Sequence, residues 1–150
     1  MYRRRSTEKA SLPFKERPGH KSACAFCAVA SGPRGDKSHE VIQAGEYSLV
    51  IANLFPYDVW EHMDVENHLL IIPKRHVTTM DELTPDERQE MMDLFCKYES
   101  AGYNLYARAP QSTARTIAHI HTHLIKHKPN VRPPKLFSLV WRKPQWLIKY

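Results

Sequence analysis

The chain has 150 residues, of which 42% are hydrophobic, and a formal net charge of +6. Chains of ~100–150 residues most often form one domain, and no apolar run approaches the ~20 residues that a membrane-spanning helix needs. Cys24, Cys27 and Cys96 are an odd set with one tight pair, which favours intracellular metal or redox chemistry over a disulfide framework.

The charge is concentrated at the two ends of the chain. Residues 1–23 carry seven Lys or Arg against two Glu, and residues 126–150 carry seven against none. Residues 24–125 carry eight basic and fourteen acidic residues, which predicts an acidic domain between basic arms. Such arms can attract nucleic acid, an anionic membrane or a polyphosphate, or they can fold over the acidic body.

The domain boundaries follow from this distribution. Residues 1–23 have low hydrophobicity and mixed charge, which predicts a disordered N-terminal extension. No apolar segment follows the basic N-terminus, so we expect no secretory signal. We place the folded domain at residues 24–127 and a basic, aromatic tail at 128–150, which is apolar enough to pack on the domain.

Short segments rich in β-branched and aromatic residues predict strands before and after one helix. The predicted strands are 40–44, 47–52, 68–72 and 103–109. Residues 54–66 mix aromatic and acidic side chains without a clear period, which predicts a long connection. We interpret it as an insertion that rims the site or a dimer interface.

The predicted helix has several agreeing signals. Thr84 suits the N-cap, Pro85 the first turn and Glu87 the second half of a capping box. The helix is expected to run to about Ser100 and to end before Gly102. Its predicted buried face contains Met91, Phe95 and Tyr98.

Three histidines alternate with other residues in the run Ile117-Ala-His119-Ile-His121-Thr-His123-Leu-Ile125. A period of two predicts a strand with all three imidazoles on one face. At ~3.3 Å per residue, His119 and His123 would be roughly 13 Å apart, too far for one metal ion to bind all three easily. The three histidines are therefore expected to serve at least two sites.

This run resembles the signature of the histidine triad (HIT) superfamily. The resemblance extends to Asn53 before Pro56 and to the block His68-Leu-Leu-Ile-Ile-Pro-Lys-Arg-His76. It also includes the position of the helix. The resemblance implies an α+β fold, with an antiparallel sheet of about five strands, one main helix at about 84–100 and a short N-terminal helix.

The resemblance also implies roles for individual residues. His121 would attack the α-phosphorus of a nucleoside 5′-phosphate derivative, and His123 would donate to the phosphoryl oxygens. Thr116 and Arg115 would bind phosphate, and Asn53 would hold the ribose of a purine, AMP-like nucleotide. The residues that could wall a base pocket, or equally form plain core, are Phe26, Ile51 and Phe55.

The loop before the triad departs from the family pattern. Ala114-Arg115-Thr116 stands where relatives commonly have Gly-Gln-Ser, and Arg108 stands at an amide position of some branches. These changes leave the preference for a leaving group open.

The Cys24-x-x-Cys27 pair gains significance from the same resemblance. Some bacterial members bind zinc through this pair, the histidine that opens the second block and the first triad histidine, which here are His68 and His119. Such a closed tetrahedral site would be structural. The alternative is a reduced thiol pair, and His76 is expected to face solvent.

The predicted function is a HIT-type hydrolase or nucleotidyl transferase that cleaves phosphoramidates or dinucleoside polyphosphates through a nucleotidyl-histidine intermediate. One alternative is a nucleotide-binding regulatory module whose basic arms contact nucleic acid or a partner. Another is a zinc enzyme that uses two triad histidines at an open site. The resemblance further implies a homodimer, and we expect a cytoplasmic location and no membrane contact.

Overall fold

The computed structural model describes residues 24–32 and 39–129, together with the backbone of residues 3–5. Most of the predicted N-terminal extension, and the tail from residue 130 onward, lie outside the described residues. The predictions for these two segments therefore remain predictions.

The elements alternate between short strands and two helices. They are β1 (Arg3–Arg5), α1 (Ala25–Ala30), β2 (Val41–Ala44), β3 (Ser48–Ala52), β4 (Tyr57–Trp60), β5 (Met63–Pro73), a 3-10 turn (Met80–Glu82), α2 (Pro85–Ser100), β6 (Asn104–Ala107) and β7 (Thr122–His127). The main sheet is antiparallel, in the order β2-β3-β5-β7-β6. Strand β5 also pairs with β4, and β4 pairs with β1, so the whole sheet has seven strands. The predicted α+β fold, with an antiparallel sheet, one main helix and a short N-terminal helix, is confirmed, but the sheet has more strands than the five expected.

Strand β5 organises the core because both of its faces are covered. Leu69 and Ile71 pack in the cluster that contains the α2 side chains, whereas Leu70 and Ile72 pack in the cluster that contains Phe26 of α1. Alternate strand residues point to opposite faces, so a continuous apolar run fits a strand between two layers. His68 shares the α1 face with Leu70.

Helix α2 begins as its sequence predicts. Thr84 is the N-cap, and both hydrogen bonds of the capping box with Glu87 are present. Gly102 follows the helix with a φ of 86°, a left-handed conformation that favours glycine. Met91 and Tyr98 are buried as predicted, but Leu94 is buried where Phe95 is only half-buried.

The prediction of an irregular connection at 54–66 is wrong. Strand β4 pairs with the start of β5 through Val59–Asp64 and Trp60–Met63, forming a hairpin. Its two turn residues, Glu61 and His62, have φ values of 51° and 67°. Two-residue hairpin turns with positive φ usually contain Asn or Gly. Because this turn has neither residue, there was no sequence signal for a hairpin.

The triad is not carried on one regular strand, contrary to the sequence prediction. Strand β7 begins at Thr122, so His123 is in the strand and pairs with Leu70. His119 and His121 lie in the segment that leads into it. This segment is anchored where the Ile120 N–H donates to the Val77 carbonyl at 2.9 Å.

Glu87 joins α2 to the end of β5. Its carboxylate accepts from Arg75 Nε at 2.9 Å, from Arg75 Nη2 at 2.7 Å and from the Thr84 N–H at 2.7 Å. The Arg75 hydrogen bonds, followed by that of the Thr84 N–H, lower the Glu87 pKa from 4.5 to about 2, against the opposing effect of burial.

Replacing Glu87 with Gln should lower the free energy of unfolding at neutral pH by roughly 1–3 kcal/mol, because charged hydrogen bonds are lost. The folded-state pKa is depressed, so this stabilisation is present above pH 4.5 and is lost as the pH falls toward about 2. Urea unfolding at several pH values should show the two proteins converging in acid. The exposed Glu99→Gln is the control, and a difference that does not change with pH would contradict the charge-based explanation.

Candidate active site and metal centre

Two cysteines and two histidines meet where α1 faces the chain that leaves β5. The ligand atoms of Cys24, Cys27, His76 and His119 all lie within 4.8 Å of one another. His119 Nδ1 is 3.5 Å from the Sγ atoms of both cysteines, and His76 Nδ1 is 3.1 Å from Cys27 Sγ. Cys24 and Cys27 are three residues apart at the start of α1, a spacing that places side chains on one helix face.

The tautomer of His119 is fixed by the backbone. His119 is fully buried, and its Nε2–H donates to the Pro73 carbonyl at 2.9 Å. Its Nδ1 lone pair therefore faces the two sulfurs. Burial lowers the His119 pKa to about 4, which keeps the ring neutral. A neutral imidazole whose other nitrogen is bound to a carbonyl is the usual form of a metal-ligating histidine.

The donor set fits a tetrahedral metal ion. Two thiolates and two imidazoles are ligands that zinc prefers. Burial and the neighbouring Cys24 raise the Cys27 pKa to about 11, so ionising the Cys27 thiol is unfavourable without a nearby cation. A bound divalent cation would reverse this preference.

The predicted metal ligand His68 is replaced in this group by His76. His68 lies inside β5, opposite Ile125, and its ring is turned toward His123. His76 follows the end of β5 at Pro73, where the chain turns toward α1. His76 is exposed, as expected for a residue facing solvent, yet its ring contacts Cys27 and lies 4.9 Å from the His119 ring.

A chain of hydrogen bonds fixes the tautomers of His68 and His123. The Tyr57 N–H donates to His68 Nδ1 at 3.1 Å, so the proton of neutral His68 is on Nε2. This Nε2 is 2.9 Å from His123 Nδ1 and donates to it. Burial, followed by the charge of His121, lowers the His68 pKa to about 3. The neutral His123 ring then carries its proton on Nε2, an atom that is buried in this structure.

His121 has the geometry of a neutral nucleophile. Its Nδ1–H donates to the His119 carbonyl at 2.9 Å, which leaves the lone pair on Nε2. Burial is the largest cause of a lowered His121 pKa, and the charges of Arg115 and Arg108 contribute. The ring packs against Phe26 and His123, each with its centroid 5.1 Å away.

His121 lines a cleft of about 470 Å³. The cleft is lined by Thr78, Thr79, Met80, Asp81, Ala107, Arg108, Ala109, Pro110, Gln111, Arg115, Ile120 and His121. Two arginines against one carboxylate make its lining basic, and a basic cleft beside a nucleophilic imidazole suits an anionic ligand.

Arg115 holds the loop before the triad. Its guanidinium donates to the carbonyls of Thr78 at 2.7 Å and Ile117 at 3.2 Å, and also to that of Ala118. The Arg115 charge contributes to the lowered pKa of His121. Its N–H groups, however, donate to backbone carbonyls, so they are not available to bind phosphate. Thr116, next in the loop, is exposed.

The residues considered for nucleotide binding lie mainly in the core. Ile51 has no exposed surface and Phe26 has 2%, so both side chains pack in the core beneath the site. Asn53 is half-buried, and its Oδ1 accepts from the Phe55 N–H at 3.0 Å. Its Nδ2 lies 3.0 Å from His68 Nε2. Asn53 therefore lies beside the hydrogen-bonded pair His68 and His123, the histidine chain of this site.

Sequence reasoning missed two residues of the site. Tyr57 packs on His68 and His123, with ring centroids 4.5 Å and 5.9 Å away. The available signal was the β-rich run from Tyr57 to Trp60, which the acidic residues obscured. His76 could have been found from its place just beyond the Pro73 strand end.

No helix in the described ranges is long and apolar enough to cross a membrane.

Several solved structures of histidine triad proteins have the same fold as this chain. A Zn-bound histidine triad family protein from Mycobacterium smegmatis is 22% identical, with a TM-score of 0.57, over 74% of this chain and 79% of that chain. A histidine triad nucleotide-binding protein from Candida albicans is 18% identical, with a TM-score of 0.55, over 71% and 76%. A HIT family hydrolase from Legionella pneumophila is 22% identical, with a TM-score of 0.52, over 75% and 99%.

Sequence comparison agrees with the fold. An uncharacterized HIT-like protein from Methanocaldococcus jannaschii is 24% identical over 109 residues, which cover 68% of this chain and 77% of that protein. The family model described as "HIT domain" matches residues 34–130, well over half of the chain. The fold is thus that of HIT family hydrolases and nucleotide-binding proteins, and the chain belongs to the HIT domain family.

Proposed function

We propose that the protein is a nucleotide hydrolase or nucleotidyl transferase that acts through a covalent nucleotidyl-His121 intermediate. The observation that carries this proposal is the hydrogen bond from His121 Nδ1 to the His119 carbonyl, 2.9 Å long, beside a basic cleft. It leaves the Nε2 lone pair available for attack, and the lowered pKa keeps that lone pair unprotonated at neutral pH.

The reaction would proceed in two steps. In the first, Nε2 of His121 forms a bond to the α-phosphorus, and the bond from phosphorus to the leaving group breaks with its electron pair. In the second, water attacks phosphorus and releases a proton to solvent, the P–N bond breaks with its electron pair on Nε2, and a nucleoside monophosphate and neutral His121 are formed. The His119 carbonyl stabilises the positive charge on the ring between these steps.

His123 would bind the phosphoryl oxygens through its Nε2–H. The His68 ring, 2.9 Å away, selects this tautomer and is itself set by the Tyr57 backbone. A donor held in advance costs no reorganisation when charge develops. The histidine chain thereby supports catalysis without exchanging a proton with substrate.

We also propose that Cys24, Cys27, His76 and His119 bind a structural zinc ion. The zinc would cross-link α1 to the segment that follows β5, through His76, and to the segment that leads into β7, through His119. Its ligand His119 also presents the carbonyl that orients His121. The chain's own residues would carry out all the steps at phosphorus.

Rapid-quench kinetics tests the two-step reaction with a chromogenic or radiolabelled nucleoside 5′-phosphate derivative. If water attacks the intermediate slowly, the leaving group should appear in a burst approaching one equivalent per site, before the monophosphate. If both products instead appear at the same constant rate, with no burst, over the times at which the intermediate should accumulate, the result would favour direct attack by water.

Family membership also favours a symmetric homodimer and a cytoplasmic location for this chain. Light scattering on the full chain would measure the first of these, and a monomer mass at micromolar concentration would exclude the dimer. The basic termini, residues 1–23 and 128–150, remain proposed arms of the 24–127 domain. We do not favour nucleic acid as a partner of these arms.

A further inference from the structure

We propose that Arg108 binds the leaving group, and that the preferred leaving group is an anionic phosphate chain rather than an amine. The inference rests on the proposed function, because it names the substrate class of the same His121 site. It makes Arg108 the residue that determines specificity for a nucleoside polyphosphate.

The placement of Arg108 is fixed by two tyrosines. It directly follows β6, is half-buried and lines the same cleft as His121. Its Nη2 donates to the Tyr57 hydroxyl at 3.0 Å and its Nη1 to the Tyr106 hydroxyl at 3.5 Å. The guanidinium carbon also lies 5.3 Å from the centre of the Tyr106 ring. These contacts position the cation beside the reacting imidazole.

The charge of Arg108 is available to a ligand. Both of its hydrogen-bond acceptors are neutral oxygens, and no described carboxylate is within salt-bridge distance of it. Arg115, the other cleft arginine, donates instead to the backbone carbonyls around Thr78 and Ile117. Asp81 is the acidic residue of the cleft lining. Arg108 is therefore the cation best placed to meet a phosphate.

The charge decides between two kinds of leaving group. When the bond from phosphorus to a phosphate chain breaks, the electron pair stays on the departing oxygen as negative charge, and no proton is required. Arg108 would stabilise that charge as it develops. An amine leaving group must instead gain a proton, which a guanidinium cannot supply because it stays protonated in proteins.

Two substrates with the same nucleoside test the inference: diadenosine tetraphosphate, which loses a phosphate chain, and an adenosine 5′-phosphoramidate, which loses an amine. In Arg108→Gln, kcat/KM should fall roughly 10- to 100-fold for the tetraphosphate, the effect of losing a charged hydrogen bond. For the phosphoramidate it should fall by a smaller factor, so that the ratio of the two kcat/KM values, tetraphosphate to phosphoramidate, decreases. Arg108→Lys should restore part of the preference because it keeps the charge.

Tyr57→Phe tests the positioning of Arg108. It removes only the hydroxyl that holds the guanidinium, so it should lower the tetraphosphate-to-phosphoramidate ratio in the same direction by a smaller factor. A general structural defect would reduce both activities together. Thermal unfolding of each variant provides the control for folding.

An equal loss on both substrates in Arg108→Gln, or no loss on either, would overturn the assignment of Arg108. That result differs from failure of the proposed function itself. If the proposed function is wrong, the wild-type protein will hydrolyse neither substrate and will release no burst of leaving group.

Discussion

His121→Asn is expected to lose at least ~10⁴-fold in turnover while it unfolds at nearly the wild-type temperature. Loss of a nucleophile costs this much in enzymes that use covalent intermediates. Asn can still donate to the His119 carbonyl, but its amide nitrogen has no lone pair suited to attack phosphorus. The half-buried position of His121 at the cleft makes a small change in stability reasonable.

Two further variants place this loss in context. His123→Asn should reduce turnover less, by roughly 10- to 1,000-fold, because it removes a donor and leaves the nucleophile in place. His62→Asn is the matched control, since His62 lies in the β4–β5 turn with a φ of 67°, which Asn tolerates. Full activity in His121→Asn would exclude His121 as the nucleophile.

The second large effect concerns the metal centre. The wild-type protein is expected to contain one zinc per chain, and Cys27→Ser and His76→Asn are expected to contain almost none. A ligand present at ~1,000 times its Kd stabilises the folded state by about 4 kcal/mol. Losing it should therefore lower the thermal midpoint by roughly 15–30 °C in a domain of about 100 residues.

Elemental analysis of freshly purified, unchelated protein measures this prediction. Cys96→Ser is the control for the cysteines, because Cys96 is exposed on α2 away from the group. His68→Asn is the control for the histidines and should keep its zinc. Zinc retained in His76→Asn and lost in His68→Asn would reverse our assignment of the fourth ligand.

Much of the fold could be predicted because local signals agreed with the tertiary structure. The capping box at Thr84 and Glu87 predicted the start of α2 correctly, since it depends on neighbouring residues alone. The apolar run after His68 predicted a buried strand, because packing on both faces requires continuous hydrophobicity. Such signals need no knowledge of distant contacts.

The exact membership of the site depended on contacts that spacing does not determine. The resemblance indicated His68 as a ligand and His76 was expected to face solvent, but the choice depends on where the chain turns after Pro73. Arg115 suggested a phosphate contact by its charge, but folding brought backbone carbonyls within its reach. The β4–β5 hairpin, which supplies Tyr57, lacked a glycine to mark its turn.

The most direct test is to locate the covalent adduct by mass spectrometry. The wild-type protein would be quenched during turnover at neutral or alkaline pH, where phosphoramidate bonds survive, and then digested and sequenced. We predict one nucleotidyl group on His121, with none on His119 or His123. An adduct on another residue, or product formation without an adduct when the leaving-group burst shows that an intermediate is present, would contradict the division of the triad between metal and phosphate.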